Sequence, residues 1–162
     1  MKLLAKLMSF ISITLTVMVI LFAGLFTVPK LFGITPYIVE SGSMEPVIHT
    51  GAVAFINTKD TEIEVGNIVT YAVGNDTGKL VTHRVVRQDG EQWITKGDAN
   101  DTEDLTPVEN SQVIGTYLFS IPQVGYLLSN PRKIAVVATI WLVTLNGLSA
   151  FLSWYVRKEE GA

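Results

Sequence analysis

Three kinds of side chain suited to hydrolytic chemistry follow one another along the central part of the sequence. Ser43 lies in the stretch SGSMEP, His83 lies in LVTHRVVR, and several carboxylates follow in GDANDTED, residues 97–104. A serine hydroxyl becomes a nucleophile when a neighbouring base takes its proton, and imidazole, with an ordinary pKa near 6.5, can do this near neutral pH. A carboxylate behind the imidazole fixes its tautomer and stabilises the imidazolium. Each part alone also fits a purely structural role, so the prediction of a Ser-His-Asp site depends on their combination.

Other chemistries find little support in the composition. The chain has no cysteine and only two histidines, His49 and His83. A catalytic zinc usually takes three protein ligands, so we expect neither a metal nor another cofactor. The formal net charge is −3 and no long basic block is present, which disfavours nucleic acid as a partner.

The elements that would hold these residues read as short strands. Runs rich in β-branched and aromatic residues cover positions 52–57, 67–73, 80–87, 92–96 and 112–119. GNDTG, residues 74–78, separates two of these runs, and the pair Asp89-Gly90 between two others predicts a hairpin. Strand alternation sets His83 on one face with Val81 and Val85. These patterns predict a small antiparallel β-domain over residues 31–133.

Two apolar runs flank this domain. Residues 7–29 contain no charged side chain, and at about 1.5 Å per residue they would cover roughly 34 Å as a helix, enough to cross a bilayer. Residues 134–156 form a second run of the same kind. The first run exceeds the apolar region of about 7 to 15 residues in a cleaved signal peptide, so we expect a retained anchor. The predicted fold is therefore mainly β, with a transmembrane helix at each end.

Positive charges predict the orientation. Lys2 and Lys6 precede the first run and Lys30 follows it, which favours a cytoplasmic N-terminus. The β-domain would then lie on the extracytoplasmic side, and a second crossing would return the C-terminus to the cytoplasm. The lipid bilayer is thus an expected partner, with a multi-pass location in the cell membrane, or in the endoplasmic reticulum (ER) membrane of a eukaryote.

The ordered stretches SGSMEP, THRVV and KGDAND resemble those of the type I signal peptidases. The histidine makes the chain similar to the ER-type branch found in eukaryotes, archaea and some Gram-positive bacteria. The resemblance spans residues 37–117 and implies a signal-peptidase-like β-domain. It also implies that Ser43 is the nucleophile and that His83 replaces the lysine base of the bacterial housekeeping branch.

The resemblance implies the remaining site residues less directly. Its third catalytic residue falls by spacing on Asp104, while Asp98 supports the site, and both Asp98 and Asp101 stay open as the acid that touches the imidazole. Ser41 resembles the residue whose hydroxyl joins the Ser43 backbone N–H in an oxyanion hole. The implied substrates are the signal peptides of secreted preproteins, with small side chains before the cut. The resemblance leaves the need for accessory subunits open.

Two other hypotheses remain. The domain could be a Ser-Lys peptidase of the same fold, with Lys79 or Lys96 as the base and His83 incidental. Alternatively, it could be a membrane-tethered binding domain without enzymatic activity, in which Ser43 and His83 only pack.

Overall fold

The computed structural model describes residues 2–60, 62–74 and 78–160 of the chain, with the side chains of residues 2, 4, 5, 131, 159 and 160 excepted. The predicted turn at residues 74–78 falls mostly outside this description. The chain forms two compact units: Val28–Ser129, and Met1–Thr27 together with Asn130–Ala162.

The two-part unit consists of two long helices. Helix α1 covers Lys2–Leu31 and helix α3 covers Pro131–Glu160. Both contain segments long and apolar enough to cross a membrane, Lys6–Leu31 and Arg132–Lys158. The predicted membrane segments 7–29 and 134–156 lie within these helices, and their crossing of a bilayer stays a prediction.

Polar side chains inside the apolar helices find one another within this unit. Ser9 Oγ lies 2.9 Å from Ser149 Oγ, and Ser12 Oγ donates to Asn146 Oδ1 at 2.9 Å. Asn146 Nδ2 donates back to Leu142 O in its own helix. Because an unpaired polar group in an apolar surrounding is costly, these interhelical hydrogen bonds fix the register of α1 against α3.

The other unit is built on one seven-stranded sheet in which every described pairing is antiparallel. The strand order is β1-β2-β7-β3-β4-β5-β6. The strands are β1 Ile34–Ile38, β2 Val53–Asn57, β3 Ile68–Ala72, β4 Leu80–Asp89, β5 Gln92–Lys96, β6 Val108–Glu109 and β7 Val113–Ile121. A short 3₁₀ turn, Asn110–Gln112, precedes β7, and helix α2, Val124–Leu128, follows it.

The predicted fold class is confirmed, although "mainly β" describes the sheet unit better than the whole chain, because α1 and α3 each hold 30 residues. Each of the five predicted runs contains most of an observed strand. The predicted hairpin also forms: Asp89 pairs with Gln92, and Gly90 takes the left-handed conformation with φ 62°. Strands β1 and β6 were not predicted.

Both faces of β3 are buried, and this supports the site from two sides. One apolar cluster contains Val69 and Val85, while a second contains Ile68 and Met44. Neighbouring residues of β3 thus enter opposite clusters, as strand alternation requires. Burying each such side chain stabilises the fold by about 1.5 to 3 kcal/mol, which makes β3 and β4 a rigid base.

Candidate active site

Ser43 lies in a compact turn between β1 and β2. Backbone hydrogen bonds from Glu45 N to Gly42 O and from Ile48 N to Met44 O close the turn, at 3.0 and 2.9 Å. Met44 and Ile48 are 2% and 0% exposed, so the turn is anchored in the second apolar cluster. This anchoring leaves the neighbouring Ser43 partly exposed at the surface.

The carboxylate of Glu45 holds the far side of the turn. It accepts a hydrogen bond from Thr50 N at 3.0 Å and contacts His49 Nδ1 at 2.6 Å. The Thr50 N–H first, and then His49, lower the pKa of Glu45. His49 therefore stabilises the turn through its contact with Glu45.

His83 lies on β4 with its imidazole between the turn and the acidic loop. The residue is 8% exposed. Nε2 lies 3.1 Å from Ser43 Oγ, and Nδ1 lies 2.6 Å from Asp104 Oδ2. Because a carboxylate only accepts, Nδ1 carries the proton, and the neutral ring then presents Nε2 as an acceptor to the serine hydroxyl. This is the tautomer that a general base requires.

Asp104 is held in place by the strand beside it. Its backbone N–H donates to Thr95 O on β5 at 2.8 Å, which fixes the end of the acidic loop. Its Oδ2 also accepts hydrogen bonds from Thr95 Oγ1 at 2.7 Å and from the Tyr71 hydroxyl at 3.2 Å. Burial raises the pKa of Tyr71 to about 12, with a further contribution from the charge of Asp104, so this hydroxyl stays protonated at neutral pH.

The two other candidate acids do not contact the imidazole. Asp98 forms a two-point ion pair with Arg84, from Nε at 2.8 Å and from Nη2 at 2.7 Å. Arg84 also donates to Gly66 O, so the pair ties β4 to the loop that precedes β3. Asp101 is exposed. In the structure, the acid that touches His83 is Asp104.

The acidic loop packs directly against the nucleophile turn. Ala99 N donates to the carbonyl oxygen of Ser43 at 2.9 Å. A Cβ added at Gly97 would lie only 2.6 Å from the same oxygen and 2.8 Å from Asn100 Nδ2. The glycine of GDAND is therefore required by the close approach of two backbone segments.

Ser41 reaches the same point from the other side. Its hydroxyl lies 3.4 Å from that of Ser43. Among the side chains that the structure describes, no lysine hydrogen-bonds to Ser43, although Lys79 lines the cleft beside it. The cleft also includes Ser41, Ser43 and His83.

Tyr71 and Thr95 were missed by the sequence interpretation. The signal was present, because the register pairs Tyr71 with Val81 and Thr95 with Val85, the two residues that share a face with His83. Once the strands are paired, both hydroxyls must lie on the face of the imidazole.

A serine within hydrogen-bond reach of an imidazole that is backed by a carboxylate, held on a rigid sheet, has the form of a serine-type hydrolase. Comparison with known proteins makes this class specific. The family described as "Signal peptidase, peptidase S26" matches residues 9–100, more than half of the chain. The chain belongs to this family and is a signal peptidase, a serine-type endopeptidase.

The similar proteins point to the ER-type branch. The chain is 32% identical over 132 residues to the signal peptidase complex catalytic subunit SEC11 of Clavispora lusitaniae, with 72% of this chain and 76% of the relative covered. The SEC11 of Komagataella phaffii is 31% identical over 130 residues, covering 68% and 75%. That of Saccharomyces cerevisiae is 34% identical over 130 residues, covering 71% and 75%. The predicted membership of the ER-type signal peptidases is therefore confirmed.

Proposed function

We propose that this chain is a membrane-bound signal peptidase that cleaves signal peptides from preproteins by a Ser-His-Asp mechanism, with Ser43 as nucleophile, His83 as general base and Asp104 as its carboxylate. The observation that carries the proposal is the continuous relay from Ser43 Oγ to His83 Nε2 and from His83 Nδ1 to Asp104 Oδ2, at 3.1 and 2.6 Å.

Acylation follows from this relay. His83 Nε2 takes the proton of Ser43 as Oγ attacks the scissile carbonyl, and the new imidazolium is stabilised by Asp104. The imidazolium then protonates the leaving amine, which leaves an ester on Ser43. Water, deprotonated by the same nitrogen, attacks the ester and releases the new carboxyl end. Each proton therefore enters and leaves through Nε2.

The negative charge on the carbonyl oxygen needs donors. The backbone N–H of Ser43 and the hydroxyl of Ser41 are the proposed pair, and the distance of 3.4 Å between the two hydroxyls supports this assignment. One such donor is worth about 3 to 4 kcal/mol of transition-state stabilisation in other hydrolases.

Two exposed strand edges border the cleft and suit an extended peptide. Val39 N donates to Ala52 O and Gly51 N donates to Val39 O, so the backbone of Val39 faces the β2 side of the sheet. Backbone groups alternate in direction along a strand, so those of Ile38 and Glu40 point away from β2. Residues 80–83 of β4 pair with β3, whereas the described pairing with β5 begins at Arg84. A substrate strand would add to these edges, and its side chains would alternate between cleft and solvent.

The membrane location is supported by the two apolar helices. A preprotein held in a bilayer by its own apolar segment presents its cleavage site at the membrane surface. We propose an extracytoplasmic sheet unit, following the positive charges before α1. The SEC11 relatives are catalytic subunits of a signal peptidase complex, so accessory subunits are also proposed for this chain.

Cleavage of a panel of preproteins by the purified chain in liposomes tests the mechanism. We expect Ser43→Ala and His83→Ala each to reduce kcat by about 10³ to 10⁶, while Lys79→Ala and Lys96→Ala stay within about tenfold of wild type. Retained activity in His83→Ala with loss in Lys79→Ala or Lys96→Ala would instead establish the Ser-Lys alternative.

Activity that appears only after membrane extract is added would identify a need for accessory subunits. Failure of the wild type to cleave in both conditions, with binding of preprotein intact, would refute the proposed Ser-His-Asp mechanism.

A further inference from the structure

Two hydroxyl groups converge on the carboxylate oxygen that holds His83. Thr95 Oγ1 and the Tyr71 hydroxyl donate to Asp104 Oδ2 at 2.7 and 3.2 Å, and the two hydroxyls are themselves 3.1 Å apart. His83 Nδ1 is bound to the same oxygen. We call Tyr71 and Thr95 the hydroxyl pair.

We propose that the hydroxyl pair positions Asp104 and limits how strongly this carboxylate stabilises the imidazolium of His83, thereby setting the pH range of cleavage. This inference rests on the proposed Ser-His-Asp mechanism. Tyr71 and Thr95 are positioning residues, because they act on the reacting atoms only through Asp104.

The hydroxyl pair is well placed for this role by burial and by the sheet. Thr95 is 0% exposed and Tyr71 is 7% exposed. They come from β5 and β3, which lie on either side of β4 in the strand order, so the carboxylate is fixed from both sides of the strand that carries His83. Buried hydroxyls on rigid strands reorganise little during a reaction, which is the condition for effective preorganisation.

The charge on Asp104 is shared among three donors. Each hydroxyl that donates to Oδ2 draws negative charge away from the imidazole, so the imidazolium is stabilised less than by a free carboxylate. Of the charged side chains that the structure describes, Lys79 and Glu40 line the cleft on the Ser43 side of this relay. Because Tyr71 stays protonated, its hydroxyl can donate to Asp104 Oδ2 throughout the working pH range.

Removing either hydroxyl should have two effects. The imidazolium gains stability, so a higher pH is needed to free the base, and the acid limb of the kcat profile should move upward by about half a pH unit. The carboxylate also loses a restraint, so kcat should fall about 3- to 30-fold while KM changes little.

Matched substitutions test the proposal in the full-length chain in liposomes. Thr95→Val and Tyr71→Phe each remove one hydroxyl. Thr95→Ser keeps the hydroxyl at position 95 and should show the wild-type pH profile. Thr116→Val is the control, because Thr116 donates in the same way to a carboxylate outside the site, Asp60, at 2.9 Å. Tyr117→Phe is the matching control for the tyrosine, because the Tyr117 hydroxyl donates to Ser120 Oγ at 3.1 Å and not to Asp104.

The possible outcomes distinguish failure of this inference from failure of the proposed Ser-His-Asp mechanism. Unshifted profiles in Thr95→Val and Tyr71→Phe, with Ser43→Ala inactive, would refute the role of the hydroxyl pair and leave the mechanism standing. Equal shifts in Thr116→Val would also refute it, since general loosening would explain them. Activity in Ser43→Ala would refute the mechanism itself.

A second measurement serves if Thr95→Val unfolds. The chain has two histidines, so a His49→Gln variant leaves one imidazole to follow by NMR in micelles. Adding Tyr71→Phe to this variant should raise the titration midpoint of the remaining imidazole. An unchanged or lowered midpoint would contradict the proposal.

Discussion

Replacing Gly97 with alanine should slow peptide cleavage without unfolding the sheet unit. The φ angle of Gly97 lies outside the left-handed region, so alanine meets no backbone penalty there. The new Cβ would instead lie 2.6 Å from the carbonyl oxygen of Ser43. That oxygen belongs to the backbone and cannot rotate away as a flexible side chain could.

The size of the effect follows from this overlap. The Cβ and the oxygen must separate by about 0.8 Å to reach the 3.4 Å at which ordinary contact begins. If both segments share the movement, Ser43 shifts by about 0.4 Å relative to His83, whose Nε2 is 3.1 Å from Oγ. A displacement of about 1 Å can cost about 10²-fold in rate, so we expect kcat to fall about 10-fold, and up to 100-fold if Ser43 takes the whole movement. Overpacking should lower the free energy of unfolding by about 1 to 3 kcal/mol.

The assay compares kcat for a preprotein with thermal unfolding of the same sample in detergent. Gly147→Ala is the control, because a Cβ at Gly147 meets nothing within 4 Å, and this variant should match wild type. If Gly97→Ala cleaves within twofold of wild type, the acidic loop does not constrain the nucleophile and the reasoning is wrong.

Four further predictions concern single groups. Asp104→Asn should reduce kcat by about 10³ to 10⁴ at neutral pH, because the amide favours the wrong imidazole tautomer. If Asp104 acts only through His83, the double variant Asp104→Asn/His83→Ala should lose no more activity than His83→Ala alone. Cleavage by wild type should rise with pH as the general base loses its proton, and a rise only above about pH 8.5 would point to a lysine base. The pKa of Tyr71 is about 12 in the fold and about 10 in the unfolded chain, so its contribution to stability is present below about pH 10 and is lost between about pH 10 and 12. The free energy of unfolding should therefore fall less steeply with pH in this range in Tyr71→Phe than in wild type. Asp98→Asn should lower the free energy of unfolding by about 1 to 2 kcal/mol by leaving its arginine partner unpaired, with a smaller effect on kcat than Asp104→Asn.

The strands that sequence reasoning could predict are those with a clear pattern. β5 was predicted at residues 92–96, where the structure has Gln92–Lys96. β1 was missed because Pro36 interrupts its apolar run, and proline argues against a central strand. Among the strands that the structure describes, β1 pairs with β2 alone and lies at the edge of the sheet, where proline is tolerated. β6 has two residues, too few for any pattern.

The site shows a similar division. The motifs identified Ser43 and His83 as candidates, since a nucleophile and a base can be recognised by residue type and order. The choice among the three aspartates depended on loop geometry, namely on the backbone hydrogen bond from Asp104 to Thr95 O, which spacing does not encode. The catalytic roles of Ser43, His83 and Asp104 stay predictions until the variants are measured.

The proline in β1 also bears on the solubility of the sheet unit. The backbone of Val39 faces β2, so alternation turns the nitrogen of Pro36 outward, to the unpaired side of the strand. An outward N–H is what a strand of another molecule would use to extend the sheet, and proline has none. The same edge therefore resists self-association near Pro36, yet two residues later, at Ile38, it turns an N–H outward toward a peptide in the cleft. A single strand thus combines protection against aggregation with an open docking position.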